Sequence, residues 1–532
     1  MARGATDTTE MTRSTSDLSW WQRASRSRLV GAVTAGVFLF VSFIAWSMSS
    51  ATGSDPDADY HLASIWCTDI AGSDLCEIDD EWEKAVPSAL IDARCYAIFQ
   101  EESAACQPLM TTLDGRTTST GRLNSTLSLY PDGFYRIHST LASPQIEPSV
   151  IWMRILNGGL FVVLNVLLWW FVPQRLRVPL VLAWAATLVP LGMFIVASTN
   201  PSSWAVIGVG SAWAALLGYL EHRDWRRWLM GGLFVTFLAV AALARTDATL
   251  FAIATAGIAL LATDAPIRQV VRRLWIPAVA LLLPVAILFF QRGALGAITA
   301  GFRSGSDDAF NWDLLWNNII ETPALWMGTF GMRPWGALGW LDTPLPQIVP
   351  FLTFAVFIGL VGLGLTGATV RIKLITALMF FMIWFIPVYL LQISDYMVGL
   401  GFQSRYGLPL ITVLLGLLLL RPESTPPVLT HRTPLVMIAS SLIIANSLAL
   451  HQNIRRYVTG LDAIGFDLNA EREWWWWDLA GSPITPMFVW IVGTVTFAVA
   501  VWLIVVRGLA VTVADNTAEP APDKELEKTT PR

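Results

Sequence analysis

Apolar runs of about 20 residues recur along the chain, each closed by a polar stretch. The hydrocarbon core of a bilayer takes roughly 20 helical residues to cross, so each run predicts a membrane helix. The runs fall at 29–48, 151–172, 178–198, 202–220, 229–245, 247–263, 274–291, 349–369, 374–393, 406–420, 433–450 and 486–507. The pattern predicts an all-α polytopic membrane protein of about 12 helices filling residues 29–507. Arg245-Thr246-Asp247 is its least marked joint. Three longer polar segments interrupt the series, at 51–150, 292–348 and 451–485. Residues 1–28, with Arg13, Arg23, Arg26 and Arg28, read as a polar tail. The charged, proline-containing residues 508–532 read as a disordered one. The first run is too long for a signal-peptide core and no clear small-residue cleavage site follows, so it is expected to be retained.

Composition agrees. Hydrophobic residues make up 54% and charged residues 14%, against about 25% charged in soluble domains. A net charge of −5 gives no case for nucleic acid as a partner. The 26 tryptophans suit an interfacial belt in a lipid bilayer. Basic residues then orient the chain. Arg175, Arg177, Arg223, Arg226, Arg227, Arg268, Arg272, Arg273, Arg371, Lys373, Arg421 and Arg432 fall in five alternate short loops, while the other short loops carry only Arg245 and Arg405. The positive-inside rule places both termini in the cytoplasm of a multi-pass cell-membrane protein, and residues 51–150 outside. That segment holds 16 acidic and 5 basic residues and all four cysteines, Cys67, Cys76, Cys95 and Cys106. It is long enough for a small external cap. Disulfides persist outside the cytoplasm, and four cysteines allow three pairings. The absence of a C-x2-C knuckle argues against zinc.

Candidate chemistry gathers at the ends of the runs. Asp55, Asp57, Asp59 and His61 stand just past the first helix, where ionisable groups near lipid are functional candidates. Clustered carboxylates can raise one another's affinity for a proton and yield a base, or Asp57 and Asp59 can hold Mg2+ or Mn2+. Arg405, Arg245 and Arg333 mark helix ends on the same face, where a guanidinium suits a lipid phosphate or simply snorkels to headgroups. Ser198-Thr199-Asn200-Pro201-Ser202-Ser203 offers Asn200 and Ser202 to a ligand, or closes a helix hairpin. Trp474 to Trp477 could stack on sugars or, more in keeping with tryptophan's habits, anchor at the interface. No phosphate-cradling Gly-rich loop, zinc-spaced His pair or Ser-His-Asp set is present, so ATP-driven transport by this chain alone is not expected.

Four patches carry a resemblance. They are Pro56-Asp57-Ala58-Asp59-Tyr60-His61, Asn200-Pro201-Ser202-Ser203, Gly339-Trp340-Leu341-Asp342-Thr343-Pro344-Leu345-Pro346 and Ser404-Arg405-Tyr406-Gly407-Leu408-Pro409. In this order the chain resembles, over roughly 30 to 510, a family of uncharacterised bacterial multi-pass membrane proteins, catalogued as a domain of unknown function and similar to GT-C-type glycosyltransferases. Two departures stand out: Asp59 takes the place of a Glu one position earlier, and Ser404 replaces a Gly. The resemblance implies transfer of a sugar from a polyprenyl-phosphate-linked donor to an envelope glycan or glycolipid acceptor, with inversion. Asp57, Asp59 and His61 would be catalytic. Arg405, Arg245 and Arg333 would bind the donor phosphate. Tyr406, Asn200, Ser202, Trp340 and Asp342 would bind substrate. A lipid-linked glycan transporter and a non-catalytic envelope-assembly protein are the competing readings. A transporter should carry charge at the bilayer midplane; here the middle of most runs is uncharged.

Overall fold

The apolar runs fold as helices, and the segment behind the first of them supplies the three-stranded sheet found among the described residues. The structure, a computed structural model, describes residues 28–68, 76–78, 83–107, 113, 115–290, 310–422, 432–476 and 483–508. The first run forms α1 (Arg28–Met48). The polar segment after it builds α2 (Ala58–Trp66), β1 (Glu77–Ile78), β2 (Lys84–Pro87), α3 (Ser88–Asp92), β3 (Thr117–Thr120), α4 (Asn124–Leu127) and α5 (Asp132–Ser139). The bundle continues through α6 (Ile146–Phe171), α7 (Gln174–Val196), α8 (Ser202–Glu221), α9 (Arg226–Ala242), α10 (Thr246–Ala262), α11 (Ile267–Arg273) and α12 (Trp275–Phe290). It closes with α13 (Trp312–Gly328), α14 (Ile348–Gly367), α15 (Val370–Ile393), α16 (Ser404–Leu418), α17 (Arg432–Val458) and α18 (Pro486–Gly508).

Among the described residues eight helices are long and apolar enough to cross a bilayer, or nine if the bent pair α11 and α12 is one span. The sequence predicts about twelve; eight or nine is what the described residues show. Helices do form at three further expected places, but α9, α10 and α16 have only 17, 17 and 15 residues. At 1.5 Å per residue they reach roughly 22–26 Å, short of a core about 30 Å thick. The joint at 245–247 is a true break, with Arg245 extended between α9 and α10. α13 lies where an irregular loop is expected at 292–348; residues 291–309 of that loop fall outside the described set. Its polar Asp313, Asn317, Asn318 and Glu321 hide an amphipathic helix. Trp312, Trp316 and Ile320 are exposed along one face and Leu314, Asn318 and Leu325 are buried on the other.

α8 is the central post, with every residue from Ser202 to Leu220 buried. α1 packs against α6 and α18, and α17 against α14 and α18. α17 runs well past the expected 433–450. Its 27 residues span roughly 40 Å, so its last turns carry Arg455 and Arg456 beyond the apolar layer.

The segment between α1 and α6 lies over one end of this bundle. β1, β2 and β3 form a small antiparallel sheet in that order. Of the three disulfide pairings, the structure has Cys67–Cys76 and Cys95–Cys106. Trp474, Trp475 and Trp476 are buried in the protein, with the Trp476 indole donating to the Met48 carbonyl at 2.6 Å. These three are neither an exposed anchor nor an open stacking platform. Trp477 lies outside the described residues.

Candidate functional site

The turn between α1 and α2 is folded around a single arginine. Arg154, on α6, is fully buried. It donates to the carbonyls of Ser47, Ser50 and Ala51 and to Ser54 Oγ, and lies 3.7 Å from Asp55 Oδ1. The other Asp55 oxygen accepts from the Thr199 amide at 2.8 Å and from its hydroxyl. Asn200 completes the clasp by donating to the Pro56 carbonyl at 2.8 Å. The Asn-Pro-Ser-Ser turn thus holds the acidic turn in place from behind. Asn200 is fully buried, and its side-chain oxygen accepts from the Ser202 amide.

So fixed, the chain reaches Asp57 in a left-handed conformation, φ 60°, which Asp and Asn tolerate better than most residues. That turn starts α2 and sends its carboxylate toward α16. Asp57 Oδ2 accepts from Arg405 at 3.1 Å, and Oδ1 lies 3.7 Å from Arg122. Asp57 keeps 40% of its side chain exposed, whereas Asp59 keeps 3%. Asp59 Oδ2 pairs with Arg122 at 3.2 Å and Arg94 at 3.4 Å. Arg405 stands in the first turn of α16, bonded also to Gln403 and, at 2.9 Å, to the Tyr406 hydroxyl. Arg245 lies 4.0 Å from the Tyr406 ring centroid, paired with Asp247 and bonded to Ser202 Oγ. Four guanidiniums therefore meet three carboxylates, and the surplus charge suits a phosphate-bearing ligand.

Aromatic rings line the cluster. His61 Nδ1 bonds the Tyr135 hydroxyl at 2.9 Å, and Tyr130 packs on both rings. Burial, with Arg245, Arg405 and Arg122 adding to it, holds the His61 imidazole well below its ordinary value of 6.5. Burial pushes the Tyr130 phenol up to about 12 against the pull of Arg245. Three buried atoms in the cluster have no hydrogen-bond partner among the described residues: Asp59 Oδ1, His61 Nε2 and Arg405 Nε. Such atoms are costly unless something else meets them. The neutral His61 also fixes a pH dependence. Below pH 6.5 the unfolded chain binds a proton that the folded chain resists. His61 is therefore expected to contribute a loss of stability as pH falls below 6.5. His61→Gln should lessen the fall of stability with acid in thermal unfolding, the part that His138 contributes remaining.

The remaining expected residues are placed unequally. Trp340 adjoins the cluster, its indole donating to the Gly53 carbonyl at 2.9 Å and its ring lying 5.5 Å from the Arg94 guanidinium. Asp342 is buried in a pair with Arg456 at 2.9 Å and accepts from the Ile98 amide. Gly339, at φ 61°, makes this possible: a Cβ there would stand 2.5 Å from Asp342 Oδ1. Arg333 is exposed and among the described residues forms no ion pair with the cluster. As for Mg2+ or Mn2+, no group of three or more His, Cys, Asp or Glu is arranged to hold a metal among the described residues. Asp57 and Asp59 are already paired with arginines, and a divalent cation would add to a surplus of positive charge. The residues present do not fit such an ion.

Sequence reasoning missed Arg94, Arg122, Arg154, Tyr130 and Tyr135. Arg154 had a signal, a lone arginine in the apolar run Ile151–Phe171. The others lie in a polar segment where charge and aromatics are ordinary.

The fold and the cluster define a polytopic helical membrane protein with a cationic, aromatic-lined site where its helices meet a disulfide-bonded loop. The chain belongs to the DUF2142 family of predicted membrane proteins, whose model matches residues 39–414. All four patches fall inside that match. No curated protein and no solved structure matches the chain.

Proposed function

We propose that this protein is a GT-C-type membrane glycosyltransferase that moves a sugar from a polyprenyl-phosphate donor to an envelope acceptor on the external face. The observation that carries the reading is the contact of Asp57 with Arg405, amid surplus guanidiniums and unpartnered buried atoms. The distribution of basic loops supports an orientation with that end of the bundle outside and both termini in the cytoplasm. Asp57, the more accessible carboxylate, takes the proton of an acceptor hydroxyl. The freed oxygen attacks the anomeric carbon. The bond from that carbon to the phosphate oxygen breaks, and polyprenyl phosphate leaves with the electron pair. Inversion follows from attack opposite the leaving group. Arg405, with Arg245 behind it, holds the departing phosphate. Asp59 positions Arg94 and Arg122. Tyr406 and Trp340 border the sugar, and no step passes through a metal.

The test is reconstitution of the full chain in vesicles with a radiolabelled polyprenyl-phosphate sugar and a crude envelope acceptor fraction, with and without chelator. Label should move into the acceptor and polyprenyl phosphate should accumulate. Translocation of the donor across the vesicle without transfer would replace this reading with a transporter.

A further inference from the structure

The half of the bundle remote from Asp57 holds a cavity of about 740 Å3, within the roughly 300–1,000 Å3 usual for small-molecule sites. It opens between the first half of α1, the second half of α6, α7, and the last turns of α18. Its walls are almost wholly apolar. The one amide among them, Asn165, is engaged within the protein: it donates to the Phe161 carbonyl at 2.9 Å and accepts from Ser211 Oγ at 2.7 Å. Trp184 likewise donates to Ser211. A cavity that offers water so few partners stays dry, and between membrane helices the available filler is hydrocarbon. Two charged residues line it, Arg177 near the start of α7 and Arg507 near the end of α18. Arg177 is steadied by the Trp170 carbonyl at 3.0 Å and by the Trp169 ring. Arg507 is exposed and forms no ion pair among the described residues. Apolar walls with guanidiniums at the helix ends complement a chain that carries an anionic head.

We infer that this cavity is a lipid site separate from the Asp57 cluster, seating an acyl chain of an anionic phospholipid with its phosphate on Arg177 and Arg507. The inference does not depend on the transferase reading. It is tested with the full chain in nanodiscs containing phosphatidylglycerol or phosphatidylcholine, each with a photoreactive acyl chain. Phosphatidylglycerol should label the stretches 30–39 and 161–169. Arg177→Gln with Arg507→Gln should lower that labelling about tenfold and leave phosphatidylcholine labelling little changed. Gly31→Trp, at a position where an added Cβ meets nothing within 4 Å, should block both lipids. Arg507→Gln alone keeps the fold testable: labelling should fall severalfold with an unchanged melting temperature. Equal labelling by the two lipids, labelling confined to the outer surface of the bundle, or crosslinks from residues 1–27 into the cavity would overturn the assignment.

Discussion

Arg405→Ala is expected to lower sugar transfer at least a hundredfold in the reconstituted system, with donor binding weakened as well. Removing one preorganised donor from a site of developing negative charge costs about 10²–10³ in rate. Here the loss also frees Asp57 from its 3.1 Å partner. Arg405→Lys should recover little. One ammonium cannot span Asp57, Tyr406 and a phosphate as the flat, multi-donor guanidinium does. Asp57→Asn keeps the side-chain shape and removes the base, which is worth about 10²–10⁴. Asp59→Asn should cost less, because Asp59 acts through Arg94 and Arg122. The readout is initial transfer rate at saturating acceptor, with elution from size exclusion as the folding check. Transfer within twofold of the unsubstituted protein for both Arg405→Ala and Asp57→Asn would remove these residues from the chemistry.

The second large effect concerns stability. Arg154→Met should destabilise the protein by about 3–5 kcal/mol, the usual cost of removing one member of a buried charged pair. The substitution takes a donor from three carbonyls, of which that of Ala51 keeps the Ser54 amide, and leaves the Asp55 carboxylate buried beside an apolar neighbour. Asp55→Asn in the same chain should recover part of the loss, since the two changes share a network and do not add. Thermal unfolding in detergent reads both. A loss under 1 kcal/mol for Arg154→Met would mean that the turn's other contacts, those of Thr199, Asn200, Trp340 and Asn453 among them, hold it without Arg154. Because this turn sets Asp57, the variant should also lose transfer where it remains folded.

Much of the frame was legible from hydropathy because the spacing of apolar runs is dictated by bilayer thickness. What hydropathy does not measure is helix length beyond the apolar stretch. α9, α10 and α16 stop short of a full span, while α17 continues through polar residues to carry Arg456 to Asp342. α13 escaped notice because its polar residues, Asp313, Asn317, Asn318 and Glu321, lower the mean of any window. At the site, Asp57 and Arg405 were legible separately, through their positions at helix ends. That they would touch was not, since 348 residues separate them and no local rule pairs them. Asn200 and Asp342 drew attention as polar residues in conspicuous turns. Their burial and internal bonds tie them to the scaffold of the site, a distinction that only three-dimensional neighbours can draw. Arg94 and Arg122 were hidden by the opposite circumstance, a loop in which charge is unremarkable until folding aims it.

The same long-range pairing sets an order of assembly. The two disulfides close over separations of only 9 and 11 residues, so they can form while later helices are still being synthesised. The turn that precedes them in the chain cannot settle so early. Ser49 and Ser50 are bound by Asn453, on the penultimate long helix, and Asp57 waits for Arg405. Contacts so distant along the chain form late. A nascent chain released before Arg405 would carry a bridged loop in which Asp55 and Asp59 already had their partners while Asp57 lacked its 3.1 Å one.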